Sequence, residues 1–441
     1  MTNNNRRLRP RERDAIIQSL RAGVTPRTGL QHIQVGRVRE VEALLKDIER
    51  IVDGGSSIRF IIGDFGSGKS FFLQLIRAIA LEKGLVTIHA DLSQDRRLYA
   101  SGGQARNLYA ELMRNLSTRT KPEGNALTSV VERFITEARN QADATGKSVV
   151  AIIEERLKHL SELVGGYDFA KVIALYWEGY EQDSEDLKSS AVRWLRGEIT
   201  TKTDARNLLG VRSIVDDASV YDHLKLLSLF ERQAGYKGLL INLDEMVSLY
   251  KLSTQRARIS NYEQILRILN DCLQGSANHI GFLFGGTPDF LLDPRKGLYS
   301  YEALHSRLAE NSFARSAGVI DYSSPTLHLA NLTPEELFIL LKNLRHVYAF
   351  GDETKYLLPD EALTAFLAHC SNRIGDAYFQ TPRNTIKAFV DLLAVLDQNS
   401  DFRWHQLIEK VHLDEEYNTD MPEIDKVSEN DIDDELASFQ I

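Results

Sequence analysis

Eight residues constrain this chain more than any other stretch: Gly63-Asp64-Phe65-Gly66-Ser67-Gly68-Lys69-Ser70, set between a strand pattern and a helix pattern. Ile58-Arg59-Phe60-Ile61-Ile62 leads in as a short, mostly apolar and β-branched run. Phe72, Leu75, Ile76 and Ile79 follow at helical spacing until Gly84 stops them. Glycines let the backbone curl so that successive N–H groups point at phosphate oxygens, and the helix N-terminus adds its partial positive charge. Lys69 can reach the β- and γ-phosphates, and Ser70 offers a hydroxyl to Mg2+. The spacing predicts a nucleoside triphosphate site with Gly63 to Ser70 as its phosphate cradle.

The rest of the composition narrows the setting. At 441 residues the chain exceeds one ordinary core, and about 150 residues per domain predicts two or three. No run reaches the ~18 apolar residues that would span a bilayer, so no membrane partner is expected. The N-terminus, MTNNNRRLRPRERD, has no apolar stretch behind its basic residues and does not read as a secretory signal. Cys272 and Cys370, the only cysteines, argue for a reducing cytoplasm. The net charge of −9 sits almost wholly in residues 413–441, whose eleven Asp/Glu and one Lys give −10 and leave the body at +1. The body's charge therefore neither calls for nor forbids nucleic acid. The tail reads as a flexible, solvated segment, with a docking peptide or a mimic of nucleic-acid charge as its functional alternatives.

Further strands are expected at Val86–Ala90, Leu239–Leu243, Ile280–Phe284 and Thr326–Leu329, alternating with helices as in a parallel α/β sheet. Between the second and third strands, residues 104–220 show only helical periodicity. The expected divisions are an N-terminal arm and helix over residues 1–30, an α/β nucleotide-binding core over 31–330 with a helical insertion at about 104–220, a helical lid over 331–412, and the acidic tail over 413–441. The lid opens with a capping box at Thr333, Pro334 and Glu336. A later lid helix begins at Thr381-Pro382-Arg383.

Chemistry gathers around the strand ends. Asp244, after the Leu239–Leu243 strand, is placed to hold the Mg2+ bound beside Ser70, and Glu245 to orient and deprotonate an attacking water. Thr287, after the next strand, stands where a hydroxyl would meet that water or the γ-phosphate; its bland reading is a turn Thr before Pro288. Arg307 is a candidate finger acting on a neighbouring subunit's nucleotide, with Arg315 as rival and an ordinary surface arginine as the plain alternative. Arg383 is held at a capped helix start, which suits it to contact the γ-phosphate and carry hydrolysis into lid movement.

With these residues in view the chain resembles AAA+ ATPases of the initiator-like clade. Gly63–Ser70 matches Walker A, Leu239–Glu245 matches Walker B, Thr287 sits at sensor 1 and Pro382-Arg383 at sensor 2. Val35-Gly36-Arg37 resembles the box whose loop lies beside the adenine. A closer resemblance is to the BREX phage-defence ATP-binding proteins of BrxD type. It is carried by Leu20-Arg21-Ala22-Gly23-Val24-Thr25-Pro26, Val35-Gly36-Arg37, Ile62–Ser70, Trp194-Leu195-Arg196-Gly197-Glu198 and Gly238–Glu245. The resemblance implies a P-loop NTPase (AAA+) core of five parallel strands followed by a helical lid. It also implies Mg-ATP hydrolysis and partners such as a helicase or another defence-system component.

The leading expectation is an ATPase that drives or switches a DNA-directed assembly, with a homo-oligomer as a candidate state. Too few residues follow the lid for a winged-helix domain. DNA would have to meet the core, the insertion, or the arginines at 6, 7, 9, 11 and 13. The alternatives are an ATP-bound scaffold that recruits a protein effector without touching DNA, and a metabolic kinase.

Overall fold

A computed structural model describes residues 8–374, 382–399 and 401–409. The five apolar runs come together as one all-parallel sheet: β1 (Ser56–Ile62), β2 (Val86–Asp91), β3 (Leu239–Asp244), β4 (Ile280–Gly286) and β5 (Thr326–His328), in spatial order β2-β3-β4-β1-β5. The strands read as near-continuous apolar runs because both faces are covered. Phe60, Ile241, Phe282 and Phe284 look into one layer, while Ile61, Leu240, Leu283 and Leu327 look into the other. That second layer is closed by the helices Val38–Val52 and Lys69–Glu82, through Leu44, Ile48, Phe72 and Ile76.

β1 starts two residues before its apolar run because Ser56 Oγ donates to the Cys272 carbonyl at 3.0 Å, so a polar residue can be buried there. Arg59, in mid-strand, is buried as well. Its Nε meets Asp47 Oδ2 at 2.6 Å and an Nη meets Oδ1 at 3.2 Å, a two-pronged pair that clamps the Val38–Val52 helix to β1. Such a pair adds little over an apolar substitute but costs heavily if only one partner is removed.

Between β2 and β3 the described chain is helical: Gln104–Arg114, Leu127–Thr145, Val149–Leu157, Gly166–Glu181, Glu185–Leu195, Lys202–Leu209 and Val220–Gln233. Phe230 packs on Phe134 and Phe169 at centroid distances of 5.1 and 5.5 Å, and Phe169 on Trp194 at 6.4 Å. This apolar cluster is continuous with the one on the sheet, so no polar seam divides these helices from the strands.

A second core forms where Pro334–Tyr348, Asp360–Ile374, Pro382–Gln398 and Trp404–Ile408 pack together, with Leu341, Leu344, Phe366 and Phe389 inside. The capping box at its entrance is made as the sequence reads. Thr333 Oγ1 accepts from the Glu336 N–H at 3.2 Å, and the Glu336 carboxylate accepts from the Thr333 N–H at 3.0 Å. The N-terminal helix Pro10–Arg21 joins this core through Ile16, and Arg21 pairs with Asp391 at 2.8 Å.

Arg13 lies between the rings of Tyr348 and Phe350, at 4.8 and 4.5 Å, and donates to the Tyr348 carbonyl. Of the arginine cluster near the N-terminus, Arg13 is therefore a packing residue, Arg9 and Arg11 are exposed, and Arg6 and Arg7 lie outside the described residues. The acidic tail and the cap expected from Thr381 also lie outside them. No helix among the described residues is long and apolar enough to cross a membrane.

Glu231, on Val220–Gln233, is fully buried, and neither carboxyl oxygen has a hydrogen-bond partner among the described residues. Burial holds this carboxyl well above the usual range, so the folded form keeps a proton that the unfolded chain releases above its ordinary pKa. Stability from this group is therefore full at acid pH and is lost as pH rises. Glu231→Met is expected to raise the melting temperature at pH 7, by about 1–3 kcal/mol of stability, with a smaller gain at pH 5. A lower melting temperature for the variant at pH 7 would refute this reading.

Candidate nucleotide-binding site

β1 ends at Ile62 and the chain turns through Gly63–Gly68 into the Lys69–Glu82 helix. The turn depends on Gly66 and Gly68, at φ 83 and 87, a region that side chains beyond glycine rarely enter. The N–H groups of Gly66, Gly68, Lys69 and Ser70 meet no acceptor among the described residues, and Ser67 Oγ is buried without a partner. A ring of open donors at a helix N-terminus is the chemistry of an anion cradle, so the residues present fit a polyphosphate.

Lys69 Nζ folds back onto its own loop and donates to the carbonyls of Gly63 and Asp64, at 2.8 Å each. Burial lowers its pKa, opposed by the nearby charges of Asp244, Glu245 and Asp64. Ser70 Oγ donates to Asp244 Oδ2 at 2.6 Å, and Asp244 Oδ1 accepts from the Glu245 N–H at 2.9 Å. Ser70 and Asp244 are 174 residues apart in sequence. A hydroxyl and a carboxylate in contact form the oxygen donor set that a small divalent cation takes, so these two residues fit Mg2+. Glu245, at φ 57, is exposed at the mouth of the same cavity.

The cavity holds about 500 Å³, within the range of small-molecule sites. Gly66 to Ser70, Asp244 and Glu245 form its charged end. Val24, Ile33, Val35, Leu332 and Ile386 give an apolar wall suited to a flat base. Arg383, the second residue of Pro382–Gln398, also lines it.

Not every residue expected at the site stands there. Thr287 sits at the end of β4 as the cap of Pro288–Leu292, its hydroxyl accepting from the Phe290 N–H at a long 3.4 Å, and it does not line the cavity. Arg307 is exposed on Glu302–Leu308, donating to Asn270 Oδ1 at 2.9 Å and to the Ala303 carbonyl at 2.7 Å. Arg315 is exposed on Ser312–Ala317. Both arginines lie away from the nucleotide cavity of their own chain.

The Val35-Gly36-Arg37 box proves to be a junction. Arg37, at φ 62, donates to the Ser67 carbonyl at 3.2 Å and to the Ala330 carbonyl, while its Nη1 lies 4.0 Å from Glu40. Gly36 lies directly against the Glu336 carboxylate of the capping box. One arginine thus ties the phosphate loop to the segment entering the Pro334–Tyr348 helix. Burial lowers its pKa, with Glu40 and Glu336 acting against that.

Several cavity residues escape motif reasoning. The Gly23–Arg27 loop covers one side, and Gln74, His89, Asp91 and Asn242 extend the polar floor. Burial, followed by the positive charges of Arg77 and Arg27, pushes the His89 imidazole down to about 4, so it is neutral near pH 7. Burial, and then Asp244, raises the Asp91 pKa. The available signal was polarity at alternate positions of β2, where Thr87, His89 and Asp91 share one face of an otherwise apolar strand.

The family model described as BREX system ATP-binding protein BrxC/D matches residues 8–412, spanning the phosphate loop, the helices between β2 and β3, and the C-terminal helical core. No curated protein matches the chain. The match covers nearly the whole sequence, so the chain belongs to the BREX system ATP-binding protein BrxC/D family.

Proposed function

We propose that this ATP-binding protein hydrolyses Mg-ATP and uses the cycle to switch a DNA-directed assembly in BREX anti-phage defence, acting in the cytoplasm. The observation that carries the reading is the 2.6 Å contact between Ser70 and Asp244 beside Lys69, in a cavity of nucleotide size. A phosphate cradle alone only binds; a carboxylate delivered from β3 to the hydroxyl of the cradle is what hydrolysis needs.

Lys69 leaves its two loop carbonyls and pairs with the β- and γ-phosphate oxygens, gaining charged partners for neutral ones. Ser70 and Asp244 hold Mg2+, which supplies charge neutralisation at the phosphate oxygens when bound. Glu245 accepts the proton of the attacking water. Thr287 serves as positioner by exchanging its long capping bond for that water. Arg383 reads the γ-phosphate and passes its loss to the lid. Arg307, or Arg315, reaches the site of a second copy in a homo-oligomer. The helices over 104–220 provide the surface for a protein partner such as a helicase or other defence component.

Lys69→Ala is expected to weaken ATP binding by about ten- to a hundredfold, the worth of one charged contact, measured by titration calorimetry. Glu245→Gln should keep the parent affinity while turnover falls at least about a hundredfold. ATP hydrolysis at the parent rate in Glu245→Gln would remove that residue from the mechanism.

DNA involvement has its own readout. Duplex DNA should stimulate turnover, and its binding should weaken steeply between about 50 and 200 mM salt. Turnover indifferent to DNA at both salt levels would favour an ATP-dependent scaffold that recruits a protein effector.

A further inference from the structure

The segment Leu20–Pro26 has no place in the ATPase motifs, yet Gly23, Val24, Thr25 and Pro26 all line the nucleotide cavity. Gly23 ends the N-terminal helix at φ +69. A Cβ placed on it would stand 2.9 Å from Arg383 Nε and 3.3 Å from an Nη, so the guanidinium occupies the space that a side chain at this position would need. No Cβ makes such an approach without moving its neighbour. The two residues are brought together by lid packing. Pro10–Arg21 runs along Pro382–Gln398, fixed by Ile16 in the shared core and by the Arg21–Asp391 pair at 2.8 Å. The loop that carries Gly23 therefore travels with the helix that carries Arg383.

We propose that Gly23 is a positioning residue for nucleotide hydrolysis: its bare backbone seats the Arg383 guanidinium, and the Leu20–Pro26 loop aims that arginine into the nucleotide cavity from the lid. Arg383 has a long side chain with many rotamers, and its helix start alone fixes only the direction of Cα–Cβ. A flat seat on one side removes most of the remaining freedom. Glycine is the residue that offers both the left-handed turn and the close approach. The inference rests on Arg383 acting at the γ-phosphate, as proposed above.

The test compares four variants of the full chain for ATP turnover and melting temperature: Gly23→Ala, Arg383→Ala, the double variant, and Gly146→Ala. Gly146 has the same φ, +69, with nothing within 4 Å of an added Cβ, and lies at the end of Leu127–Thr145 away from the cavity, so it reports backbone strain alone. Gly23→Ala is expected to lower kcat/KM for ATP about tenfold or more, the loss of one charged contact, and to match Arg383→Ala. The double variant should be no worse than Arg383→Ala alone.

Melting temperature gives the second readout. Gly23→Ala should melt close to Gly146→Ala, because the methyl is accommodated by displacing the exposed, flexible Arg383 guanidinium and not the backbone, so turnover falls without a matching loss of stability. Parent-like turnover in Gly23→Ala, or losses that multiply in the double variant, would overturn the seat. A melting temperature well below that of Gly146→Ala would do the same, since the loss of turnover would then follow from a weakened fold. Parent-like turnover in Arg383→Ala would instead overturn the role proposed for the arginine itself.

Discussion

The hydrogen bond from Ser70 to Asp244 is the contact around which the rest of the molecule is arranged. It joins the first turn of the helix after β1 to the end of β3, and it can form only because the sheet order is β2-β3-β4-β1-β5. With β4 between them and all strands parallel, β1 and β3 present their C-terminal ends to the same edge, and each crossover carries the chain back through helices to the opposite edge before the next strand begins. The chain between β2 and β3 contains seven helices, yet the register Ile88 opposite Ile241 and Ala90 opposite Leu243 is kept to the last pair, Asp91 opposite Asp244. The long helical segment therefore leaves the geometry of the site intact, which a shared apolar core with the sheet makes possible.

Two arginines connect this edge to the C-terminal helical core, and they do so differently. Arg37 is an internal clamp whose guanidinium bonds neutral carbonyls of the phosphate loop and of the lid entrance. Arg383 arrives from the Pro382–Gln398 helix and lines the cavity beside Gly23. Arg37 therefore joins the phosphate loop to the chain just before Pro334–Tyr348, and Arg383 brings a cation of Pro382–Gln398 to the cavity wall.

Much of this was legible in the sequence, and the reasons differ by element. The strands were legible because burial on both faces leaves continuous apolar runs. Their starts were not, since Ser56 and Ser57 are buried by hydrogen bonding and tight packing that no local pattern reveals. The Thr333 capping box was legible because its partners are three residues apart. Asp244 was legible through its motif although its partner lies far away. Gly23 and Arg27 were not legible as cavity residues: their neighbours come from distant elements, and nothing in their local spacing records that meeting, whereas His89 left only the alternating polarity of β2. Arg37 illustrates the middle ground, where the box was visible but the two carbonyls it bonds were not.

The account stands or falls on the Ser70–Asp244 pair as the seat of a divalent cation that hydrolysis requires. The most direct measurement is ATP turnover as a function of Mg2+ concentration in the parent and in Asp244→Asn. The account predicts that parent turnover vanishes with chelator and returns on titration with Mg2+. It also predicts that Asp244→Asn needs at least about tenfold more metal or never recovers, as expected for loss of a charged oxygen ligand. The same metal dependence and the same rate in both proteins would contradict it.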